Sequence, residues 1–288
     1  MKWKRTNKKE LPLLLNFLLP RESQAVAVTS RLKLGDRASL PPRREASVFF
    51  CQGPAEILAA VLISSTGAVL PVLAPGNALQ PESLPRLAEL KKIEPSIHSI
   101  IGKAGDVAWV SKCLSLKPGV INEYHLMSLT RECFLQVEDR VLRVKGLAIK
   151  AAGLQDAERL YPLQKGYELE DVALSKDYFH ERSCFLSLKR ILRHQEVIMA
   201  ELNGKAVAKV NTNARGFRVD QVGGMYTIKS ERNRGIGFLI LKELLKRIFQ
   251  TREIVSLFVR KNNPAAAALY RNLGFTVTDS YRISYYHI

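Results

Sequence analysis

The stretch Ser230–Leu245, SERNRGIGFLILKELL, constrains the fold of this chain more than any other. Two arginines and two glycines stand directly in front of a run whose apolar residues, Leu239, Ile240, Leu241, Leu244, Leu245, Ile248 and Phe249, recur at helical spacing. Lys242, Glu243, Lys246 and Arg247 fall on the other face. Glycine is the poorest helix former after proline and neighbouring guanidinium groups repel, so both features need compensation. A bound anion compensates for both. The first turn of a helix has unpaired N–H groups and the positive end of the helix dipole, and small residues there let an anion reach the backbone. Two guanidinium forks beside those amides match phosphate oxygens. The order strand, loop, helix reads as a pyrophosphate cradle, with an ordinary surface turn as the competing reading. It is not a Walker loop, since no Gly-Lys-Ser/Thr follows. Nor is it a dinucleotide fingerprint, since the third glycine and the early βαβ position are missing.

The flanking residues supply the context. VIMAEL (Val197 to Leu202) and AVAKVNT (Ala206 to Thr212) read as strands joined at Asn203-Gly204, a pair that favours the positive φ angles of a two-residue hairpin turn. Phe217 to Ile228 reads as a third strand, in which Gly223-Gly224 marks a bulge or a close backbone approach. Downstream, Ile254 to Val259 is a strand. Asn263 is then a good N-cap with Pro264 at the first helical position, an alanine run builds the helix, and Gly274 ends it. Tyr270 falls about two turns after Asn263, so both sit on one side of that helix. Taken alone, Tyr270 reads first as an aromatic core residue.

From Gln221 to Phe275 the chain resembles the GNAT superfamily of acyl-CoA-dependent N-acetyltransferases. Arg232-Asn233-Arg234-Gly235-Ile236-Gly237 matches the family's Q/R-x-x-G-x-G/A pyrophosphate loop without a gap. Asn263 through Tyr270 to Gly274-Phe275 matches its N-x-x-A-x-x-x-Y-x-x-x-G-F signature. The resemblance implies acetyl-CoA as co-substrate and no metal. It implies that Met225, Tyr226 and Thr227 offer backbone groups to the pantetheine arm, that Arg232 to Phe238 hold the diphosphate, and that Asn263 bonds the cofactor arm. Tyr270 would stand near the thioester sulfur and protonate the leaving thiolate, a sensible task for a phenol. Strand amides near Gly224 to Tyr226 would polarise the thioester carbonyl. Two positions depart from the family: Lys229 replaces the proline common before the loop, and Phe258 stands where some relatives carry a glutamate base. The base is therefore open among Glu201, Asp220, Glu168, Glu170 and a water chain, each carboxylate otherwise reading as a solvated surface charge. The implied acceptor groove runs along Tyr161 to Val172 and Thr276 to Ile288, where Glu168, Glu170 and Asp171 suit a cationic amine.

A length of 288 residues admits two domains, expected at 1–140 and 147–288 with the charged stretch Glu138 to Gly146 between them. The first half reads as two helical pieces (Leu11 to Leu19, Ala25 to Leu34), a break at Pro41-Pro42, and strands at Ser47 to Cys51, Ala59 to Ser64 and Ala68 to Leu73. A helix over Ser83 to Ile93, a strand at His98 to Ile101, a helix over Ala104 to Leu116 and a strand at Val120 to Leu129 follow. The segments ELPLLLNFL, AVAVTSRL and AVLPVL resemble a domain found ahead of GNAT domains in some bacterial proteins. The expected fold class is α/β (α+β): tandem GNAT-like domains, each a mixed, mostly antiparallel twisted sheet flanked by helices. Arg140 to Gly146 (RVLRVKG) lacks the spacing of the anion loop, so only the second half is expected to bind the cofactor.

No window approaches the roughly 18 uninterrupted apolar residues of a membrane helix. Lys2, Lys4, Arg5, Lys8 and Lys9 ahead of LPLLLNFLLP imitate a secretory signal, with Ala25-Val26-Ala27 as its cleavage site. Glu10, Asn16 and Pro20-Arg21-Glu22 favour the amphipathic first helix of a cytoplasmic domain instead. Cys51, Cys113, Cys133 and Cys184 show no C-x-x-C spacing and the five histidines no ligand spacing, which reads as buried thiols in a reducing compartment. The net charge of +17 attracts polyanions: nucleic acid, acidic lipid or a phosphorylated cofactor. The leading expectation is an enzyme that moves an acetyl group to a small-molecule or peptide amine by direct attack in a ternary complex, since no cysteine or serine stands in a motif. A non-catalytic acyl-CoA-binding regulatory module and a basic RNA- or ribosome-associated protein are the alternatives. Nothing in the sequence specifies an oligomeric state.

Overall fold

The computed structural model of the chain describes residues 2–35, 37–54, 56–76, 97–138, 144–172 and 179–286. The helix expected over Ser83 to Ile93 and the middle of the charged stretch after Glu138 lie outside these residues. The first half contains β1 (Lys2–Arg5), α1 (Leu11–Leu18), α2 (Glu22–Thr29), β2 (Lys33–Leu34), β3 (Arg37–Ala38), β4 (Ala46–Gln52), β5 (Ile57–Ser64) and β6 (Ala68–Leu73). β7 (Ser99–Lys103), α3 (Ala104–Cys113), β8 (Val120–Thr130) and α4 (Arg131–Leu135) complete it. The second half contains β9 (Leu147–Ala151), α5 (Ala157–Tyr167), α6 (Glu181–His194), β10 (Val197–Leu202), β11 (Lys205–Arg215) and β12 (Val219–Thr227). α7 (Ile236–Ile248), β13 (Ile254–Arg260), α8 (Pro264–Asn272) and β14 (Thr276–Tyr285) follow.

Local chemistry explains most of these boundaries. The β10–β11 hairpin turns at Asn203 (φ +51°) and Gly204 (φ +81°), the left-handed pair that a two-residue turn requires. α7 buries Ile236, Ile240, Leu241, Leu244, Leu245 and Ile248, and exposes Lys246 and Arg247 in its last turn, where cations suit the helix dipole. Lys242, expected on the solvent face, is instead largely buried, with its ammonium 5.8 Å from the Phe238 ring centroid. The first residues also differ from expectation. Lys2–Arg5 is not a basic lead-in to a helix but a strand, with Trp3 opposite Cys51 of β4. Lys4 and Arg5 are exposed on this sheet edge, as charges on an edge strand should be. The second helical piece stops at Thr29 rather than reaching Leu34. The chain tightens through Ser30–Leu32, buries Leu32, and turns at Gly35 (φ +58°) into the β2–β3 hairpin.

Among the described residues twelve strands form one mixed sheet in the order β1-β4-β5-β6-β7-β14-β8-β13-β12-β11-β10-β9. Its described pairings are antiparallel except β6–β7 and β12–β13. The fold class is the expected twisted, mostly antiparallel sheet flanked by helices. The centre was not foreseen, because the two halves exchange strands there. β8 of the first half pairs with β13 (Thr130 opposite Ile254, Tyr124 opposite Arg260), while β14 of the second half pairs with β7 (Tyr281 opposite Lys103). β8 and β14 also pair with each other. Met127 and Leu129 of β8 are consequently buried in the same core as Leu244, Leu257 and Phe275. Cores of their own lie beneath α1 and α2 (Leu14, Leu18, Phe50, Leu62) and beneath α5 and α6 (Leu160, Leu163, Leu188, Met199).

Glu22 ties the halves together at a second place. This carboxylate at the start of α2 is 2% exposed and accepts hydrogen bonds from the Phe217 N–H (2.7 Å) and the Arg218 N–H (2.9 Å) in the β11–β12 turn. A side chain at Gly216 would collide with it, which explains that glycine. Two backbone donors and one buried charge satisfy one another, so truncation leaves donors unpaired. Glu22→Ala is expected to destabilise the chain by about 2–4 kcal/mol, read as a lower denaturant midpoint. An unchanged midpoint would remove Glu22 from the inter-half contact.

Candidate active site

Three backbone features of the second half open a cavity. β12 and β13 pair in parallel from Val219–Ile254 to Val222–Leu257. Both strands continue beyond that point, β12 to Thr227 and β13 to Arg260, with no further described pairing between them. On its other edge β12 is bulged: Tyr226 lies opposite Lys209 and Gly223 opposite Asn211, so Gly224 and Met225 together face Val210. Gly224 has φ +57°, and a side chain there would strike Asn211 Oδ1. A bulge of this shape needs the glycine.

The loop after β12 delivers the helix end. Asn233 (φ +62°) and Gly235 (φ +77°) turn the chain left-handed, and Gly235 is the N-cap of α7. The first intrahelical bond runs from the Leu239 N–H to the Gly235 carbonyl (3.1 Å). Helical geometry therefore leaves the N–H groups of Ile236, Gly237 and Phe238 without intrahelical acceptors. A side chain at Gly237 would come within 2.7 Å of Met225 Cε and 3.2 Å of Leu269 Cδ1, so this glycine lets α7 close on β12 and α8. Arg232 donates from Nε to the Thr227 carbonyl (2.9 Å) and from Nη2 to Glu170 (2.7 Å). Arg234 pairs with Glu231.

α8 forms the next wall. Its N-cap Asn263 accepts from the Ala266 N–H (3.1 Å), which leaves the amide NH2 of Asn263 as a donor. Tyr270 is 8% exposed, its hydroxyl 3.8 Å from Met225 Sδ and its ring 5.9 Å from Phe275. Burial, with a smaller contribution from Asp171, pushes the Tyr270 pKa above the ordinary phenol range. The hydroxyl therefore keeps its proton at neutral and mildly alkaline pH.

The opposite end of the cavity is aromatic and acidic. α5 runs into a π-helical turn, Glu168–Val172, an irregularity often found at functional sites. Glu170 accepts from the Tyr226 hydroxyl (2.8 Å) as well as from Arg232. Burial alone would raise its pKa, but Arg232, Tyr226 and Lys229 outweigh burial and hold the carboxyl below its usual range. Asp171 goes the other way: burial raises it, with only partial opposition from Arg260. Tyr124, from β8 of the first half, packs edge-on against Phe258 at 5.2 Å, and both line the cavity. The strand exchange thus makes the site composite.

Residues 157–275 match the family model of the acetyltransferase (GNAT) family. They form a GNAT domain. A Drosophila protein of known structure is 14% identical, with a TM-score of 0.66 over 98% of each chain. A tandem GNAT protein from the clavulanic acid biosynthesis pathway is 13% identical, with a TM-score of 0.60 over 98% of this chain and 97% of its own. A GCN5-related N-acetyltransferase from Sphaerobacter thermophilus is 14% identical, also at 0.60, over 98% and 94%. At these identities the likeness is one of fold, and it runs through both halves, so the first half too resembles tandem GNAT proteins. No curated protein matches the sequence.

Within the GNAT domain, Met225, Tyr226, Thr227, Arg232, Asn233, Gly235, Ile236, Gly237, Phe238, Asn263 and Tyr270 line one cavity of about 780 Å³. Arg234, expected among them, is absent from its walls. Of the four carboxylates weighed as a base, Glu170 lines the cavity. Glu201 is bound to Lys150 and Arg159, and Asp220 to Arg215 and Arg252. Both belong to ion pairs outside the cavity walls. Glu168 accepts from Gln164 Nε2 (3.0 Å). Tyr167, Arg260 and Tyr124 line the cavity without having been singled out. Tyr167 lies within the expected acceptor groove and Arg260 directly follows a recognised strand, whereas Tyr124 carries no local signal.

Proposed function

We propose that this chain is an N-acetyltransferase that transfers the acetyl group of acetyl-CoA to a primary amine by direct attack in a ternary complex. One observation carries the reading: free first-turn amides of α7, the unpaired edge of bulged β12 and the protonated Tyr270 hydroxyl converge on a single cavity. The donor set fits coenzyme A. The amides of Ile236 to Phe238, with Arg232 beside them, suit a diphosphate. The free edge of β12 from Met225 to Thr227 suits the amides of a pantetheine arm, and the Asn263 NH2 suits a carbonyl on it. Acetyl-CoA, when bound, supplies an activated acyl group whose leaving group is a thiolate. Tyr270 holds at Oη the proton that such a thiolate takes. Asp171, whose pKa burial raises, is better suited than Glu170 to accept the proton of the attacking amine, because Glu170 is stabilised as an anion by Arg232. The acidic and aromatic end of the cavity favours a cationic amine, whether a small molecule or a peptide.

Only the second half is assigned the cofactor, in a two-domain division at 1–140 and 147–288. In the first half the Leu73 N–H at the end of β6 is taken by Asp106 Oδ2 of α3 at 3.0 Å, an internal partner on the strand that opens beside β7. No helix among the described residues is long and apolar enough to cross a membrane. Cys51, Cys133 and Cys184 carry free thiols, in keeping with a cytoplasmic location.

Calorimetric titration with acetyl-CoA, followed by thiol release against a panel of primary amines, tests the reading. Binding with amine-dependent thiol release supports it. Binding without release for any amine leaves the regulatory module, a reading favoured by Phe258 at the position where some relatives carry glutamate. No binding ends both.

A further inference from the structure

Lys209 has no part in the chemistry above, yet it is fully buried in the middle of β11. Its neighbours Val207, Ala208 and Val210 show what this strand uses to fill a core. Burying an ammonium is costly unless it is hydrogen-bonded. Burial pushes the Lys209 pKa down to about 7, against the opposing pull of Glu168 and Cys184. The Tyr167 ring of α5 lies 5.4 Å from the Nζ. Alternation along the strand places Lys209, Asn211 and Asn213 on one face. They form a ladder there: Lys209 Nζ donates to Asn211 Oδ1 (2.9 Å), and Asn211 Nδ2 donates to Asn213 Oδ1 (3.1 Å). Side chains at Gly223 and Gly224 would collide with Asn213 and Asn211, so the ladder and the two glycines of the bulge fit each other.

The decisive contact is the other one. Lys209 Nζ donates to the Gly224 carbonyl at 2.8 Å. The chain has no cis peptide bonds among the described residues, so the Met225 N–H, in the same peptide unit, points opposite that carbonyl. The carbonyl is held by a side chain of β11, and beyond Val222, where the described pairing with β13 has ended, β12 borders the cavity. Resting on the proposed function, we propose that Lys209 is a positioning residue: it fixes the Gly224 carbonyl and thereby aims the Met225 N–H at the acyl carbonyl of acetyl-CoA. When protonated, Lys209 also polarises the peptide unit and strengthens its N–H as a donor. Lys209 touches neither the cavity nor the substrate.

The test uses the full chain, with Lys209→Met and Lys209→Gln beside the wild type. Acetyl-CoA isotopically labelled at the acyl carbonyl is followed by difference infrared spectroscopy, and binding of acetyl-CoA and of CoA is measured by calorimetry. In the wild type the carbonyl stretch moves to lower frequency on binding. Lys209→Met loses most of that shift, and its acetyl-CoA affinity falls about tenfold while CoA affinity changes less than about twofold, because CoA has no acyl carbonyl to orient. Lys209→Gln keeps an amide donor without the charge, retains part of the shift, and carries the test if the methionine variant does not fold. A full wild-type shift in either folded variant overturns the inference, as does an equal loss of affinity for CoA and acetyl-CoA, which marks a purely structural lysine. A wild type that binds both ligands while the variants fail these criteria leaves the proposed function standing. A wild type that binds neither sinks the two together.

Discussion

Tyr270→Phe lowers turnover about a hundredfold to a thousandfold while acetyl-CoA affinity stays within about twofold. The substitution removes one oxygen and keeps the ring, which packs at 5.9 Å on Phe275. Among the described residues the hydroxyl meets a thioether at 3.8 Å, a weak acceptor, so stability should barely change. The loss should fall on kcat and kcat/KM together, the pattern of an interaction made chiefly in the transition state. The pH profile supplies an independent check. A group that must be protonated, with its pKa raised by burial, gives no alkaline loss of activity until well above the usual phenol range. Full turnover in the phenylalanine variant would remove Tyr270 as proton donor, whatever else the cavity does.

Gly235→Glu abolishes acetyl-CoA binding, an affinity loss of at least about a hundredfold, or roughly 2.7 kcal/mol. Two costs combine. Gly235 caps α7 at φ +77°, and a residue with a side chain pays about 1–2 kcal/mol to adopt that conformation. The new carboxylate also stands at the positive end of the helix, where it competes with a diphosphate for the same amides. Gly235→Ala carries the strain without the charge and should lose far less affinity. Calorimetry reads both variants, and thermal melts confirm that each is folded. Retention of wild-type affinity in the glutamate variant would remove the α7 terminus from the anion site.

How much of this was legible beforehand follows from where each signal is stored. The loop from Arg232 to Gly237, the hairpin at Asn203-Gly204, the bulge at Gly223-Gly224 and the cap at Asn263-Pro264 are each written in a few consecutive residues, because each is a local backbone requirement. The structure places them in the elements their chemistry requires. Pairing between Val120–Thr130 and Ile254–Arg260 is not local; it joins segments more than a hundred residues apart and leaves no pattern in either. Tyr124 therefore could not be foreseen as a cavity wall. Lys209 did leave a trace, a lysine inside the alternating apolar run AVAKV, but a charge in a strand ordinarily marks the solvent face. Arg234 differs from its neighbours in the motif: its guanidinium pairs with Glu231, and it is not among the residues that line the cavity.

The exchanged strands also bear on how the chain is made. β7 and β8 flank β14 and do not pair with each other, so the first half has a slot in its sheet that only residues 276–285 fill. A ribosome releases those residues well over a hundred positions after β8, and the leading portion must wait, half-assembled and with unsatisfied edges, for the trailing one. Such long-range closure is slow and exposes nascent material to mispairing.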